Sequence, residues 1–210
     1  MKLWIVLTLA AVLAGCATID TVERSDDRAL YAAHAATIAS ISSWKIRGRL
    51  SARSQDRGDI ARLLWNRDVK RHHFELYGTI GSRRIRIFQD DQSVSLEDTQ
   101  GAMIEGTSAR SVIRERTGWD LPIDELIYWL VGAVSEDSPA EIQWDTNGHL
   151  VSIVQAGWDV TLANYRSFGS YKLPTRLFIK RLPGRDDSEN AQSSESQTFE
   201  IRIAIKEWGV

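Results

Sequence analysis

A single cysteine, Cys16, stands in the 210 residues, so no intramolecular disulfide can form and no thiolate-rich metal site can be assembled. Charge of one sign is missing too: Lys and Arg number 26 against 28 Asp and Glu, for a net charge of -2. That balance gives no reason to expect nucleic acid as a partner. Only one long apolar run is present, Leu3 to Leu13 broken only by Thr8, and it falls short of the roughly 20 residues a membrane-spanning helix needs. Internal repeats are absent. So are the constellations of catalysis. Gly81-Ser82 and Gly169-Ser170 lack the surrounding glycines of a nucleophile elbow, and Asp90-Asp91 and Asp186-Asp187 read as solvated turn or loop carboxylates. Gly78 to Gly81 carries neither the lysine nor the following helix of a phosphate loop. His72-His73 is the best metal candidate, but neighbours in a strand point to opposite faces. The chain is expected to have no catalytic residues, no metal and no cofactor, and to act as a binder rather than an enzyme.

What is present begins at the N-terminus. Lys2, the Leu3 to Leu13 run and the closing Leu13-Ala14-Gly15-Cys16 form a charged n-region, a short apolar h-region and a small-residue cleavage site. Polar Thr18, Asp20 and Glu23 follow almost at once. The segment resembles a lipobox, which implies a signal peptide over residues 1–15 and a lipid-bearing Cys16. Ala17 rather than Asp follows the cysteine, and the resemblance then points to the outer membrane. Loss of Lys2 with the signal takes the net charge from -2 to -3. About 195 residues remain, enough for one domain with a sizeable core.

Residues 16–43 are read as a lipidated tether, with a short helix over Arg28 to Ser40 whose apolar spacing is weak. From Trp44 the period becomes two. Trp44, Ile46, Gly48, Leu50 and Ala52 alternate with Lys45, Arg47, Arg49, Ser51 and Arg53, giving a strand with one apolar and one cationic face. Further short strands are expected around Ala61 to Trp65, Phe74 to Leu76, Ile85 to Ile87 and Val94 to Leu96. Helical spacing then interrupts the sheet: a first helix follows a Ser108 cap and ends at Gly118, and a second starts at Pro122. In the second, Ile123, Leu126, Ile127 and Leu130 fall at i, i+3, i+4 and i+7 before Gly132. Strands resume at Glu141 to Asp145, with Asn147-Gly148 as a two-residue hairpin signal, and continue at Leu150 to Gln155, Trp158 to Ala163, Arg176 to Leu182 and Phe199 to Lys206. Pro183 to Gln197 is polar and aperiodic, as in a long hairpin loop. Seven tryptophans remain after processing. Each suits an ordinary core, but amphipathic helices inserted in mid-sheet also suit a lid over an apolar cavity, the kind of space that takes lipid.

Thr117-Gly118, Leu121-Pro122-Ile123, Leu126, Trp129-Leu130 and Gly132 resemble the helical signature of the LolB family of outer-membrane lipoproteins. Trp44, Gly48, Trp65, Leu76 through Gly81-Ser82, Trp158, Pro174 and Trp208 extend the similarity over residues 44–210. The resemblance implies a mainly β fold with helices: an incomplete antiparallel barrel of about 11 strands, LolA/LolB-like, with a helical lid over an apolar cavity. It further implies a monomeric receptor on the periplasmic face of the outer membrane. Such a receptor takes lipoproteins from a LolA-type periplasmic carrier, holds their acyl chains without covalent chemistry and releases them among outer-membrane lipids. Strand parity selects Leu50, Leu63, Trp65, Leu76, Ile85, Ile87, Leu96, Ile104 and Trp144 as acyl contacts, and helix parity selects Leu126, Trp129 and Leu130. Gly78-Thr79-Ile80-Gly81 lies where the family has a protruding loop with an exposed apolar residue, which implies membrane insertion through Ile80. Arg83, Arg84 and Arg86 flank that loop, as a solvated face or as ligands of anionic head groups. The competing expectation is a structural accessory lipoprotein of an outer-membrane assembly complex, whose aromatic residues simply fill a core.

Overall fold

The computed structural model describes residues 23–54, 57–69, 71–78, 84–183 and 199–210. The N-terminal segment with Cys16, the 79–83 loop with Thr79, Ile80 and Gly81, and the 184–198 loop lie outside the described residues. Helix α1 (Glu23–Ala39) is followed by strands β1 (Ser43–Ser54), β2 (Arg57–Asp68), β3 (Arg71–Gly78), β4 (Arg84–Gln89), β5 (Val94–Glu97) and β6 (Met103–Gly106). Helices α2 (Ala109–Thr117) and α3 (Ile123–Trp129) come next. The chain closes with β7 (Ala140–Trp144), β8 (Leu150–Gln155), β9 (Trp158–Ala163), β10 (Arg166–Phe168), β11 (Tyr171–Leu173), β12 (Arg176–Arg181) and β13 (Phe199–Gly209).

Eleven strands form one antiparallel sheet in the order β6-β5-β4-β3-β2-β1-β13-β12-β9-β8-β7, and β10-β11 form a separate hairpin. The terminal strands β6 and β7 do not pair, so the barrel stays open. Register explains which face is buried, because directly opposed residues share a face. Leu50 faces Ile203 and Ala61, Trp65 faces Ile46 and Phe74, Leu76 faces Leu63 and Ile85, and Leu96 faces Ile87 and Ile104. All of these lie in one apolar cluster, whereas the alternate positions Arg47, Arg49 and Arg53 of β1 are solvated or only half-covered. The period-two pattern thus sends these apolar side chains inward, while Ile60, Phe88, Met103 and Phe178 lie on the exposed face.

Helices α2 and α3 fill the inner face where a closed barrel would have more strands. Ser108 caps α2 by accepting a hydrogen bond from Ser111 N at 3.1 Å, and Gly118, at φ +75°, ends it in the left-handed conformation. Pro122 precedes the first turn of α3, where its lack of a backbone N–H costs nothing because a donor there would have no partner within the helix. Helix α2 packs against β5, β6 and α3.

Three elements differ from the sequence reading. Helix α1 begins at Glu23, five residues before Arg28. The connection after Trp144 is not a two-residue hairpin: Trp144 pairs with Leu150, and the turn runs through Asp145 to His149. Asp145 Oδ1 accepts from the backbone N–H of both Asn147 and His149 at 2.9 Å, which makes the wider turn self-sufficient. The β10-β11 hairpin has only three residues per strand, too short for a visible period.

Candidate functional site

The site is built from the inner face outward. Leu50, Leu63, Trp65, Leu76, Ile87 and Leu96 from the strands, and Leu126, Trp129 and Leu130 from the α3 region, are all essentially inaccessible and share one cluster. Ile85 and Ile104 are partly buried and pack against it. Trp144 is not brought to that interior. It is half-buried near the rim, where its ring stacks on Tyr31 of α1 with centroids 4.8 Å apart. Simple strand parity does not hold to the end of β7, where the register shifts between Gln143 and Trp144, and α1 covers the end of this edge strand.

Two polar fastenings hold the helices in this interior. At the α2-α3 junction, Asp120 is 9% exposed and accepts from Arg110 of α2 at 2.6 and 2.8 Å and from Arg181 of β12. Burial opposes ionisation of Asp120, but the Arg110 hydrogen bonds and the charges of Arg110, Arg181 and Arg114 outweigh it and hold the carboxyl below its ordinary value. Beyond α3, the Gln155 amide of β8 is fully buried and fully satisfied. Its Oε1 accepts from Trp129 Nε1 at 2.9 Å and from Ser135 N at 3.2 Å, and its Nε2 donates to Ser135 O and Ser138 O at 2.7 and 2.8 Å. One side chain thereby ties the helix to the wall. Neither fastening was foreseen: both are long-range pairings, and the only local sign was a polar residue, Gln155, at an inward position of an apolar strand.

One end of the barrel opens into a polar cleft of about 720 Å³, lined among others by Arg67, His72, Gln89, Asp90, Ile127 and Tyr128. Arg67 lies over the Tyr128 ring, and Gln89 Nε2 reaches Asp124 Oδ1 of α3 at 3.4 Å. Burial and the charge of Arg67 push His72 down to about 4, against an opposing pull from Asp124, so its imidazole is neutral at physiological pH. Behind the cleft an aromatic row leads inward: His72 lies 6.3 Å from Trp65, Trp65 lies 5.5 Å from Trp44, and Trp44 lies 5.8 Å from Trp208. Trp208 Nε1 donates to Pro174 O. Among the described residues, the buried nitrogens Trp44 Nε1, Trp65 Nε1 and His72 Nδ1 have no hydrogen-bond partner. His73, one residue along, points to the other face and stacks on Phe88 at 4.6 Å.

Gly78 ends β3, exposed, at the opposite end of the strand from His72 and the cleft. Of the flanking arginines, Arg84 pairs with Glu75 at 2.8 Å and Arg86 with Glu97 at 2.5 Å. These two guanidiniums already have carboxylate partners on the outer face. Among the described residues, no group of three or more His, Cys, Asp or Glu side chains gathers into a metal-binding set, and no helix is long and apolar enough to cross a membrane.

Comparison with known proteins fits this arrangement. The family pattern described as outer membrane lipoprotein LolB matches residues 42–208. Proteins named outer-membrane lipoprotein LolB from Pseudomonas putida and Pseudomonas syringae are each 28% identical over 97% of this chain and 94% of their own length. One from Stutzerimonas stutzeri is 27% identical over 95% and 91%. Among solved structures, a LolA superfamily protein from Nitrosomonas europaea superposes with a TM-score of 0.53 at 6% identity, covering 88% of this chain and 93% of that one. An outer membrane lipoprotein-sorting protein domain from Vibrio parahaemolyticus gives a TM-score of 0.53 at 7% identity over 89% and 92%. At such identities the likeness concerns the fold.

Proposed function

Since the chain belongs to the LolB family of outer-membrane lipoproteins, we propose that it is the receptor that takes lipoproteins from a LolA-type periplasmic carrier and passes them into the inner leaflet of the outer membrane. The observation that carries this reading is an apolar inner wall closed by two short helices instead of by strands. A strand cannot leave a sheet without breaking its ladder; a helix that is hydrogen-bonded within itself can move and leave an apolar space behind. The acyl chains of the cargo occupy that space, against Leu50, Leu63, Trp65, Leu76, Ile87 and Leu96, with Ile85 and Ile104 at its margin.

Residues 1–15 are the export signal, the lipid on Cys16 anchors the protein at the periplasmic face of the outer membrane, and residues 44–210 form the working domain. Transfer needs no covalent step. A triacylated cargo with some 40 to 45 methylenes would cost on the order of 30 kcal/mol to expose to water, at roughly 0.8 kcal/mol per methylene. The chains therefore pass directly from carrier to receptor, and about 1.4 kcal/mol of better binding in the receptor gives a tenfold bias in direction. Release uses the loop after Gly78, with Ile80 entering the bilayer; an Ile80→Glu variant should accept cargo and fail to deliver it.

The test is a transfer assay with a carrier loaded with a lipoprotein. Cargo should move to this protein and on to outer-membrane lipid; no uptake would overturn the reading. One observation favours the other class, a structural accessory lipoprotein: the inner space is filled in this structure by Leu126, Trp129 and Leu130. The same assay separates the two, because an accessory with a permanent core takes up nothing.

A further inference from the structure

Trp44 and Trp65 bury their rings almost completely, at 2% and 1% exposure, on adjacent strands of the inner wall. Among the described residues, their indole N–H groups find no acceptor. A buried donor without a partner is costly and rare enough in a native fold to call for a cause. Three other indoles of the chain meet the requirement: Trp129 donates to Gln155, Trp208 to Pro174 and Trp119 to Asp59. The indoles of Trp44 and Trp65 sit side by side in the apolar interior, 5.5 Å apart, and the Trp65 ring lies 6.3 Å from His72, which lines the polar cleft. His72, at the inner margin of that cleft and opposite Arg67 in the ladder, adds a third nitrogen without a protein partner.

An acylated cysteine has the same gradation along its length. Its chains are apolar, its peptide is polar, and between them lie two ester carbonyls on adjacent carbons of one glyceryl group, which accept hydrogen bonds and donate none. With the chains in the barrel and the peptide in the cleft, the ester carbonyls fall at the level of the two indoles. We propose that Trp44 and Trp65 donate their indole N–H groups to the ester carbonyl oxygens of a bound diacylglyceryl group and so fix the depth to which the lipid enters. This rests on the receptor reading above. Chains alone can slide in an apolar space, since burial is proportional to area and has no direction; a pair of donors at one level gives the cargo a register. The diacylglyceryl group is common to lipidated cysteine and to membrane phospholipid, so the experiment has an arm for each.

The lipid-anchored chain is held in nanodiscs of dialkyl ether phospholipid, whose bilayer lipid carries no acyl ester; the chain's own anchor is the same in every arm. Binding is measured for a fluorescent triacylated lipopeptide, its diether analogue, a fluorescent diacyl phosphatidylglycerol and its dialkyl analogue. The wild type should prefer ester to ether by about fivefold per hydrogen bond, and roughly 25-fold for two. Trp44→Phe and Trp65→Phe keep most of the ring volume and should each lose about fivefold of that preference. Trp208→Phe, whose N–H already has its acceptor, should keep it. Since each of the first two variants removes an unsatisfied buried donor, neither should melt below the wild type, which distinguishes lost recognition from lost folding. Ester preference in the lipopeptide arm assigns the donors to cargo; preference in the phospholipid arm alone assigns them to a membrane lipid. Equal binding of ester and ether forms in both arms overturns the inference and leaves the receptor reading standing, whereas binding of none of the four probes overturns both.

Discussion

At the scale of single residues, the interior is decided by a few polar side chains among many apolar ones. Asp120 joins α2, the α2-α3 junction and β12 through Arg110 and Arg181. Breaking a buried pair costs about 3–5 kcal/mol because the remaining charge is left without its partner. Here the Arg110 and Arg181 side chains keep 38% and 28% of their surface, so water takes over part of that role. Asp120→Asn should therefore destabilise the protein by roughly 1–2 kcal/mol at neutral pH, read as a lower urea midpoint with an unchanged m-value. The sign of the pH effect follows from the depressed folded-state pKa: the unfolded chain binds the proton more readily, so the stabilisation is complete above the ordinary aspartate value and is lost as pH falls through the lower folded one. The difference between variant and wild type should shrink in acid. A difference that persists to the lowest accessible pH would mean that Asp120 acts by packing and not by charge.

Gln155 is a different case, since it is neutral and its fastening does not titrate. Gln155→Leu would leave the N–H of Trp129 and of Ser135 and the carbonyls of Ser135 and Ser138 without their partner. At about 1–3 kcal/mol for a buried group left unsatisfied, this change should cost at least 2 kcal/mol in thermal or urea unfolding, although Leu is the more apolar residue. A neutral or stabilising result would show that the segment 135–138 re-pairs on its own.

At the scale of elements, how much could be read in advance depends on how each element earns its stability. Strands β1 to β5 and helix α3 bury a full apolar face, so their period is written in consecutive residues such as Trp44, Ile46 and Leu50 or Ile123, Leu126 and Leu130. Capping was equally local, and Ser108 and Gly118 were recognisable as the ends of α2. Helix α1 buries only a narrow and partly polar stripe. Tyr31 stacks on Trp144, His34 meets His149 and Tyr165 edge-on, and Ile38 closes the contact. A helix held through Tyr31 and His34 against Trp144 of β7 and against His149 and Tyr165 outside the strands leaves only a weak hydrophobicity pattern. The approach also needs Gly148: it lies at φ +79°, and a Cβ there would fall 2.4 Å from the Leu30 carbonyl carbon. Gly148→Ala should release α1 from the barrel and leave the sheet intact, seen as faster proteolysis between residues 23 and 42 with little change in melting of the core. The same contact should weaken in acid. Burial and the neighbouring His149 lower the pKa of His34, against the opposing pull of Asp145, so the released helix binds the proton more readily than the docked one. Docking is then complete above the ordinary histidine value near 6.5 and fades below it. Helix-region amide exchange that stayed constant between pH 7.5 and 5.5 would refute this.

At the scale of the whole molecule, the open barrel and its helices form a two-state device whose energies can be compared. Withdrawing α3 exposes Leu126, Trp129 and Leu130, each about 1.5–3 kcal/mol to bring from a buried to an exposed state, so opening costs on the order of 5–9 kcal/mol before the loss of any hydrogen bond. A gap of 5.5 kcal/mol already leaves about one molecule in 10⁴ open. Without cargo, then, the interior is shut and its apolar wall is kept from water and from phospholipid. With cargo, roughly ten buried methylenes at about 0.8 kcal/mol each offset the opening, and a single acyl chain has more than that. The filled interior and the receptor function are therefore compatible, provided that the helix moves. Gln89 of β4 and Asp124 of α3, in contact at 3.4 Å across the mouth, offer a direct check. A Gln89→Cys, Asp124→Cys variant bridged by a short bis-maleimide would pin α3 to the wall. The bridged protein should take up no cargo from a loaded carrier, while the same variant without the bridge should retain uptake. Full uptake by the bridged form would show that the acyl chains enter without displacing α3, and the apolar space would then have to lie elsewhere on the inner wall.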